Sequence, residues 1–152
     1  MDFLYISPEF PPNYANFVIQ LNEVGINVWA LGEADFYAMP ERLRAAIKWY
    51  IRTDLKDFDA VRRAIADMMD IKVANGGPRH FNWVESHNEQ WLRLEGKINE
   101  AFGFDGIQRN ALDRLKKKSV MKTVFQQNGL TVAEGERVAD LEHGLRLGRA
   151  IG

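Results

Sequence analysis

Two periods of hydrophobicity alternate along the chain. Short unbroken apolar runs read as strands, and longer stretches with apolar residues three or four positions apart read as helices. Phe3-Leu4-Tyr5-Ile6 is a continuous run, the pattern of a strand buried on both faces. It leads into Ser7-Pro8-Glu9-Phe10-Pro11-Pro12-Asn13, where three prolines exclude regular structure and fix the backbone. Tyr14, Phe17, Val18, Leu21 and Val24 then share one helical face, and Gly25 supplies the stop. Residues 26–31 form a second apolar run interrupted only by Asn27. The pattern is that of a βαβ unit, which implies a parallel sheet with a right-handed crossover.

The alternation continues. Pro40 suits the first turn of a short helix through Ile47, and Trp49-Tyr50-Ile51 supplies a third strand. Asp57 is placed to cap a longer helix bearing Phe58, Val61, Ile65 and Met68 on one side, ended by Asn75-Gly76-Gly77-Pro78. Residues 81–85, aromatic and β-branched, predict a fourth strand. Ser86 precedes Glu89 in the Ser-x-x-Glu pattern of a capping box, opening a helix with Trp91, Leu94, Ile98 and Phe102 at helical spacing. A brief fifth strand is expected around Gly106 and Ile107. Asn110 and Asp113 open a helix over 112–128 that packs through Leu112, Leu115, Val124 and Phe125 and stops at Gly129. Asp140 caps a last helix carrying Leu141, Leu145 and Leu147. The fold class read from this order is α/β: a doubly wound, mainly parallel sheet over 1–108, followed by a helical segment over 109–152.

This topology has a chemical consequence. In an open α/β sheet, ligands bind outside the carboxyl ends of the strands where the strand order reverses. If the order reverses beside the first strand, the loops after strands one and four border one crevice. Glu9, Asn13, Glu85, Asn88 and Glu89 would then converge on a ligand, and His87 is a further polar group at the turn from the fourth strand into its helix. The plainer alternative is that Ser86 and Glu89 only cap a helix and Glu9 is a solvated loop residue. The proline-rich loop has no Gly-x-Gly-x-x-Gly, so a nicotinamide cofactor on strand one is not expected.

Composition narrows the classes further. Twenty basic against twenty-one acidic residues give a formal charge of −1, which argues against a nucleic-acid partner bound over the whole surface. The sequence has no cysteine, hence no disulfide, thiolate metal site or thiol nucleophile. Its three histidines, His80, His87 and His143, lack zinc-ligand spacing, and no metal-binding residue is assigned. No apolar run approaches the roughly twenty residues of a membrane span, and MDFLYIS lacks the basic start of a secretory signal. The expectation is a cytoplasmic protein with no membrane partner, its oligomeric state left open.

Between Asp113 and Lys122 lie Arg114, Lys116, Lys117, Lys118 and Lys122, five positive charges on one helical segment of a near-neutral chain. Such a cluster either faces phosphates or forms a solvated helix face. The segment 114–134, RLKKKSVMKTVFQQNGLTVAE, resembles the opening of the ATP-grasp domain in ATP-dependent carboxylate–amine ligases and biotin-carboxylase-like enzymes. Those chains have a lysine near the start of this helix, a Met or Leu face, then Gly and a short run into a strand. Lys118, Met121, Gly129, Leu130 and Val132 fall on that pattern, and Glu89-x-x-Leu92 matches the family's Glu-x-x-Leu after the fourth strand. Two departures stand out: Lys117 occupies a position where many members have Asp, and no proline occurs over 130–133.

The resemblance implies a Rossmann-like pre-ATP-grasp domain over 1–108 and the beginning of an ATP-grasp domain over 109–152. It implies ATP and Mg²⁺ as cofactors, with Lys118 on the ATP phosphates and the crevice residues on the substrate side. The intact enzyme would activate a small-molecule carboxylate as an acyl phosphate and join it to an amine or similar nucleophile. The family's second nucleotide-contacting lysine, Gly-rich phosphate loop and magnesium ligands have no counterpart within these residues. The stretch is therefore expected to be an N-terminal fragment, inactive by itself. Two other readings remain. FLYISPEFPP is similar to the opening of some glycosyltransferases, which would make this a sugar-nucleotide-binding domain, although their Gly-Gly pair is replaced by Asn13-Tyr14. The third is an α/β interaction module without chemistry.

Overall fold

Four parallel strands, β1 (Asp2–Ile6), β2 (Asn27–Gly32), β3 (Ile47–Arg52) and β4 (Trp83–Glu85), form one sheet in the order β3-β2-β1-β4. The computed structural model describes the backbone of residues 1–133 and 138–151, and the side chains of these apart from Asp113, Leu115, Ala150 and Ile151. The chain divides into two compact units, Met1–Arg109 and Asn110–Gly152.

The first unit is a doubly wound α/β fold. Successive residues of a strand point to opposite faces, and β1 is buried on both. Phe3 and Tyr5 join Val28, Ala30 and Ile47 beneath α1 (Ala15–Glu23) and α2 (Glu41–Ala46), which contribute Val18, Ile19, Leu43 and Ala46. Leu4 and Ile6 join Trp29, Leu31 and Val84 beneath α3 (Phe58–Ala74) and α4 (Leu92–Phe102), which contribute Val61, Ile65, Met68, Leu94 and Ile98. Leu4 and Ile6 are fully buried, worth about 1.5–3 kcal/mol each before entropic costs. Asp57 caps α3 as its sequence position predicts, accepting from the backbone N–H of Asp59 (2.9 Å) and Ala60 (3.1 Å). Pro40 lies at the N-cap of α2, just outside the helix it was expected to enter. β3 carries a bulge: Val28 pairs with Ile47 and Trp29 with Trp49, leaving Lys48 as the extra residue.

Three sequence expectations are corrected. The Ser86–Glu89 capping box does not form. The Ser86 N–H is taken by Glu85 Oε1 (3.1 Å), the Ser86 hydroxyl turns inward, and α4 begins only at Leu92 behind an N-cap at Trp91. No fifth strand occurs at Gly106 and Ile107, because the Ile107 carbonyl accepts from Asn99 Nδ2 (2.9 Å) within the loop after α4. The basic helix is two helices, α5 (Arg109–Lys116) and α6 (Lys118–Gln127), separated by an extended Lys117 (φ −84°, ψ 103°). A continuous helix would align Arg114, Lys118 and Lys122 as like charges four residues apart, which is unfavourable, and the break takes Arg114 out of that row.

The second unit carries α6 and α7 (Leu141–Ile151), and most of α5. Gly129 adopts φ 73° after α6, letting Leu130 N reach back to Phe125 O (3.0 Å), the helix stop its position predicts. Asp140 Oδ1 accepts from His143 N (2.8 Å) at the start of α7. The expected roles of the Asp113 and Leu115 side chains, and the end of the 114–134 motif at Glu134, lie outside the described residues. Among those described, no helix is long and apolar enough to cross a membrane.

Candidate functional site

The strand order reverses at β1: β2 and β3 lie on one side and β4 on the other. Tyr5 pairs with Glu85, so the loops leaving β1 and β4 start side by side at the carboxyl edge. Both leave through a left-handed residue, Ser7 (φ 56°) and His87 (φ 53°), conformations that cost a non-glycine residue about 1 kcal/mol or more. The Ser7 N–H is anchored on Leu31 O at 2.7 Å, and the chain then passes a cis Phe10–Pro11 bond into a 3-10 turn over Pro12–Tyr14.

The predicted site residues fall into two groups. Glu9 lies toward β2, where Oε1 accepts from the N–H groups of Glu33 (3.1 Å) and Ala34 (3.4 Å). Its other oxygen is buried without a hydrogen-bond partner among the described residues. A Cβ at Gly32 would sit 2.6 Å from Glu9 Oε2 and 2.7 Å from the Tyr50 hydroxyl, so any larger residue there requires those side-chain ends to move. Burial, then the charge of Glu9, pushes that hydroxyl well above the usual tyrosine range. Asn13 lies exposed in the 3-10 turn.

Glu85 and Asn88 belong to the β4 side. Glu85 Oε1 accepts from Ser86 N and His87 N, both at 3.1 Å. Asn88 N donates to Ser86 Oγ (3.1 Å) and Asn88 Oδ1 accepts from Gln90 N (3.0 Å). Asn88 Nδ2 is buried with no partner among the described residues. Glu89 lies exposed in the turn ahead of α4. The structure therefore brings Glu85 and Asn88 together, and holds Glu9 on the other flank of β1.

Three residues of this corner, Glu95, Tyr5 and His87, were not singled out as site candidates from the sequence. Glu95, on α4, is 1 % exposed, and the Ser86 hydroxyl donates to its Oε1. Burial first, then the negative charge and hydrogen bond of Glu85, push the Glu95 carboxyl up to about 8, so it keeps its proton at neutral pH. Tyr5, fully buried, places its hydroxyl near both acids without a hydrogen-bond partner among the described residues. Burial, followed by the charges of Glu85, Tyr14 and Glu95, raises its pKa well above the ordinary value. His87 stacks on Phe17 of α1 at 4.2 Å and 7°, and on Tyr5 of β1 at 5.6 Å and 20°. The signal for Glu95 was present: it lies four residues after Trp91 on the apolar face of α4. Tyr5 was read as core, and His87 only as one polar group among several.

Lys118 is the first residue of α6 and is exposed. Unpaired N–H groups and the positive dipole end of a helix favour anions there. No three histidine, aspartate or glutamate side chains among the described residues are grouped to hold a metal ion.

No family model and no curated protein sequence matches the chain. Solved structures do. An L-amino acid ligase from Bacillus licheniformis superposes on 92 % of this chain and 34 % of its own, with a TM-score of 0.64 and 19 % identity. The biotin carboxylase domain of a thermophilic 2-oxoglutarate carboxylase, bound to bicarbonate in that structure, covers 99 % of this chain and 33 % of its own, with a TM-score of 0.59 and 15 % identity. At these identities the likeness is one of fold, and the chain spans about a third of each. An amino acid ligase and a biotin carboxylase are also the two kinds of enzyme that the sequence of this chain resembles, and the chain shares the fold of a third of each.

Proposed function

We propose that this chain is the opening part of an ATP-grasp ligase, comprising a pre-ATP-grasp domain and the start of the ATP-grasp domain. The intact protein would activate a carboxylate with ATP and magnesium as an acyl phosphate and transfer the acyl group to an amine. One observation carries the reading: two ATP-grasp enzymes of different specificity match almost the whole of this chain, through its first unit and into its second. The position of Lys118 at the amino end of α6 supports its carry-over as the phosphate-binding lysine. ATP supplies the phosphoryl group that makes the carboxylate a leaving-group-bearing acyl donor. Lys118 would bind and orient its phosphates, and Glu85 and Asn88 would line the substrate side of the β1/β4 edge. The metal would rest on residues other than a cluster described in this chain.

The test uses the intact protein that contains this chain. ADP release should require both a carboxylate and an amine, and Lys118→Ala should raise the Kd for ATP about tenfold, the loss of one charge-assisted phosphate contact. Circular dichroism and the Tm of the variant should be unchanged, because Lys118 is exposed. An unaltered ATP affinity would remove Lys118 from the site. Absence of ATP-dependent ligation across a panel of amino and keto acids would sink the assignment.

A further inference from the structure

A cavity of about 400 Å³ opens at the amino edge of the sheet, the end opposite the β1/β4 crevice. Trp29, Lys48, Trp49, Ile71 and the Asp2–Lys72 pair line it, with the turn that ends α3 along one side. Its size falls within the range of small-molecule sites, which are mostly apolar with a few placed polar groups.

The bulge in β3 makes this site. The extra residue puts Lys48 beside Trp29 as well as Trp49, the direct partner of Trp29, so that a cation and two indoles meet at one place. Lys48 Nζ lies 5.6 Å from the centre of the Trp29 ring, and Trp49 is 44 % exposed. An indole this exposed beside a cavity is a surface that a flat apolar ligand would cover.

The charges lining the cavity are unequal in their partners. Lys72 Nζ meets Asp2 Oδ2 at 3.0 Å and donates to the His80 carbonyl. Asp2 Oδ1 further accepts from Asn27 Nδ2 and Trp29 Nε1, each at 3.1 Å. That pair is neutral and its hydrogen-bonding capacity is engaged. Lys48 has no carboxylate partner among the described residues and contributes the one uncompensated charge of the lining.

We propose that this cavity is a binding site for a flat aromatic monocarboxylate, its ring against Trp49 and the floor formed by Trp29, its carboxylate on Lys48. The site is separate from the ligase reading and stands or falls independently of it.

Naphthalene-2-carboxylate is the probe, with 2-naphthylmethylamine as its charge-reversed counterpart, titrated into the ¹⁵N-labelled chain. The four tryptophans give separable indole N–H signals: Trp29, Trp49, Trp83 and Trp91. The acid should saturate and shift Trp29 and Trp49 while leaving Trp83 and Trp91 in place. Trp49→Ala should abolish binding, Lys48→Ala should weaken it about fivefold or more, and Lys48→Glu should reverse the preference toward the amine. Lys48 and Trp49 are exposed, so unchanged circular dichroism will show that the variants fold. The proposal is overturned by non-saturable shifts, by equal binding of the amine to the unmodified chain, or by shifts centred on Trp83 or Trp91.

Discussion

Replacing Glu95 by glutamine isolates the contribution of a buried acid to the stability of the first unit. Glu95 is 1 % exposed beneath the end of β4, and burial holds its carboxyl up to about 8 against an ordinary 4.5. The sign follows from proton binding. Between those two values the unfolded chain has released the proton and the folded chain has kept it. The folded state therefore binds more protons, and stability falls as pH rises through this window. Each pH unit is worth at most about 1.4 kcal/mol, giving an upper bound of about 5 kcal/mol between pH 4.5 and 8. Water reaching the corner in the folded state would lower that figure.

The assay is urea unfolding at pH 5, 6, 7, 8 and 9, followed by tryptophan fluorescence. All four tryptophans lie within Met1–Arg109, so the signal reports that unit alone. Wild type minus Glu95→Gln should decline steadily to about pH 8 and then level off, because glutamine keeps the shape and the Ser86 contact without a titrating group. Glu85→Gln should move the levelling point to lower pH, since the charge and hydrogen bond of Glu85 help hold the proton on Glu95. Parallel stability profiles for wild type and Glu95→Gln would refute the reasoning, whatever their absolute heights.

Two further perturbations test other parts of the unit. Lys72→Met leaves Asp2 without its ion-pair partner and should cost about 2–3 kcal/mol, less than the ~3–5 of a fully enclosed pair because Asp2 keeps 15 % of its side-chain exposure. Burial raises the Asp2 carboxyl, but the bonds from Lys72, Trp29 and Asn27 together outweigh it and hold it below 3.8. This stabilisation is present above pH 3.8 and lost as pH falls through the lowered value, so Lys72→Met should flatten the acid limb of a Tm-against-pH curve. Gly32→Ala drives a methyl into the Glu9 carboxylate and the Tyr50 hydroxyl and should cost about 1–3 kcal/mol by thermal unfolding. In a Glu9→Ala background the cost should shrink, and strict additivity of the two changes would show that they do not share this contact.

Most of the architecture was legible because it rests on hydrophobic period and local stop signals. β1 and β2 are continuous apolar runs, Asp57 caps α3 and Gly129 ends α6. The reversal beside β1, by contrast, entered only as a condition: right-handed crossovers give it once α3 lies on the face opposite α1 and α2, which the sequence did not state. The misreadings share one physical cause: a polar group has more than one way to satisfy itself. Ser86 and Glu89 have the spacing of a capping box, yet Ser86 finds Glu95 and the backbone of Asn88 instead. The Ile107 carbonyl finds Asn99 Nδ2 before any strand partner. Local spacing states which partners are within reach along the chain, and it is silent about how the following helix α4 turns its Glu95 carboxyl back onto Ser86.

The same reasoning changes how the carboxyl edge should be regarded. Five polar residues on two loops suggested a single convergent crevice, but β1 stands between two neighbours and its exit loop serves both. Glu9 bonds the backbone after β2, while Glu85, Ser86, Asn88 and Glu95 are bonded to one another after β4. At the exit of β1 and β4 the imidazole of His87 is held on Phe17 by an aromatic stack worth about 0.5–1.5 kcal/mol. The amide of Asn88 is buried without a partner among the described residues, and the Tyr5 hydroxyl is in the same condition, both able to donate. The adjoining acids are poor receivers: Glu95 holds a proton at neutral pH, and Glu85 Oε1 already accepts from two backbone N–H groups. Donors without partners suit an acceptor oxygen better than another donor. On the β4 side the groups that would face an entering ligand are therefore Asn88 and Tyr5, in place of Glu9.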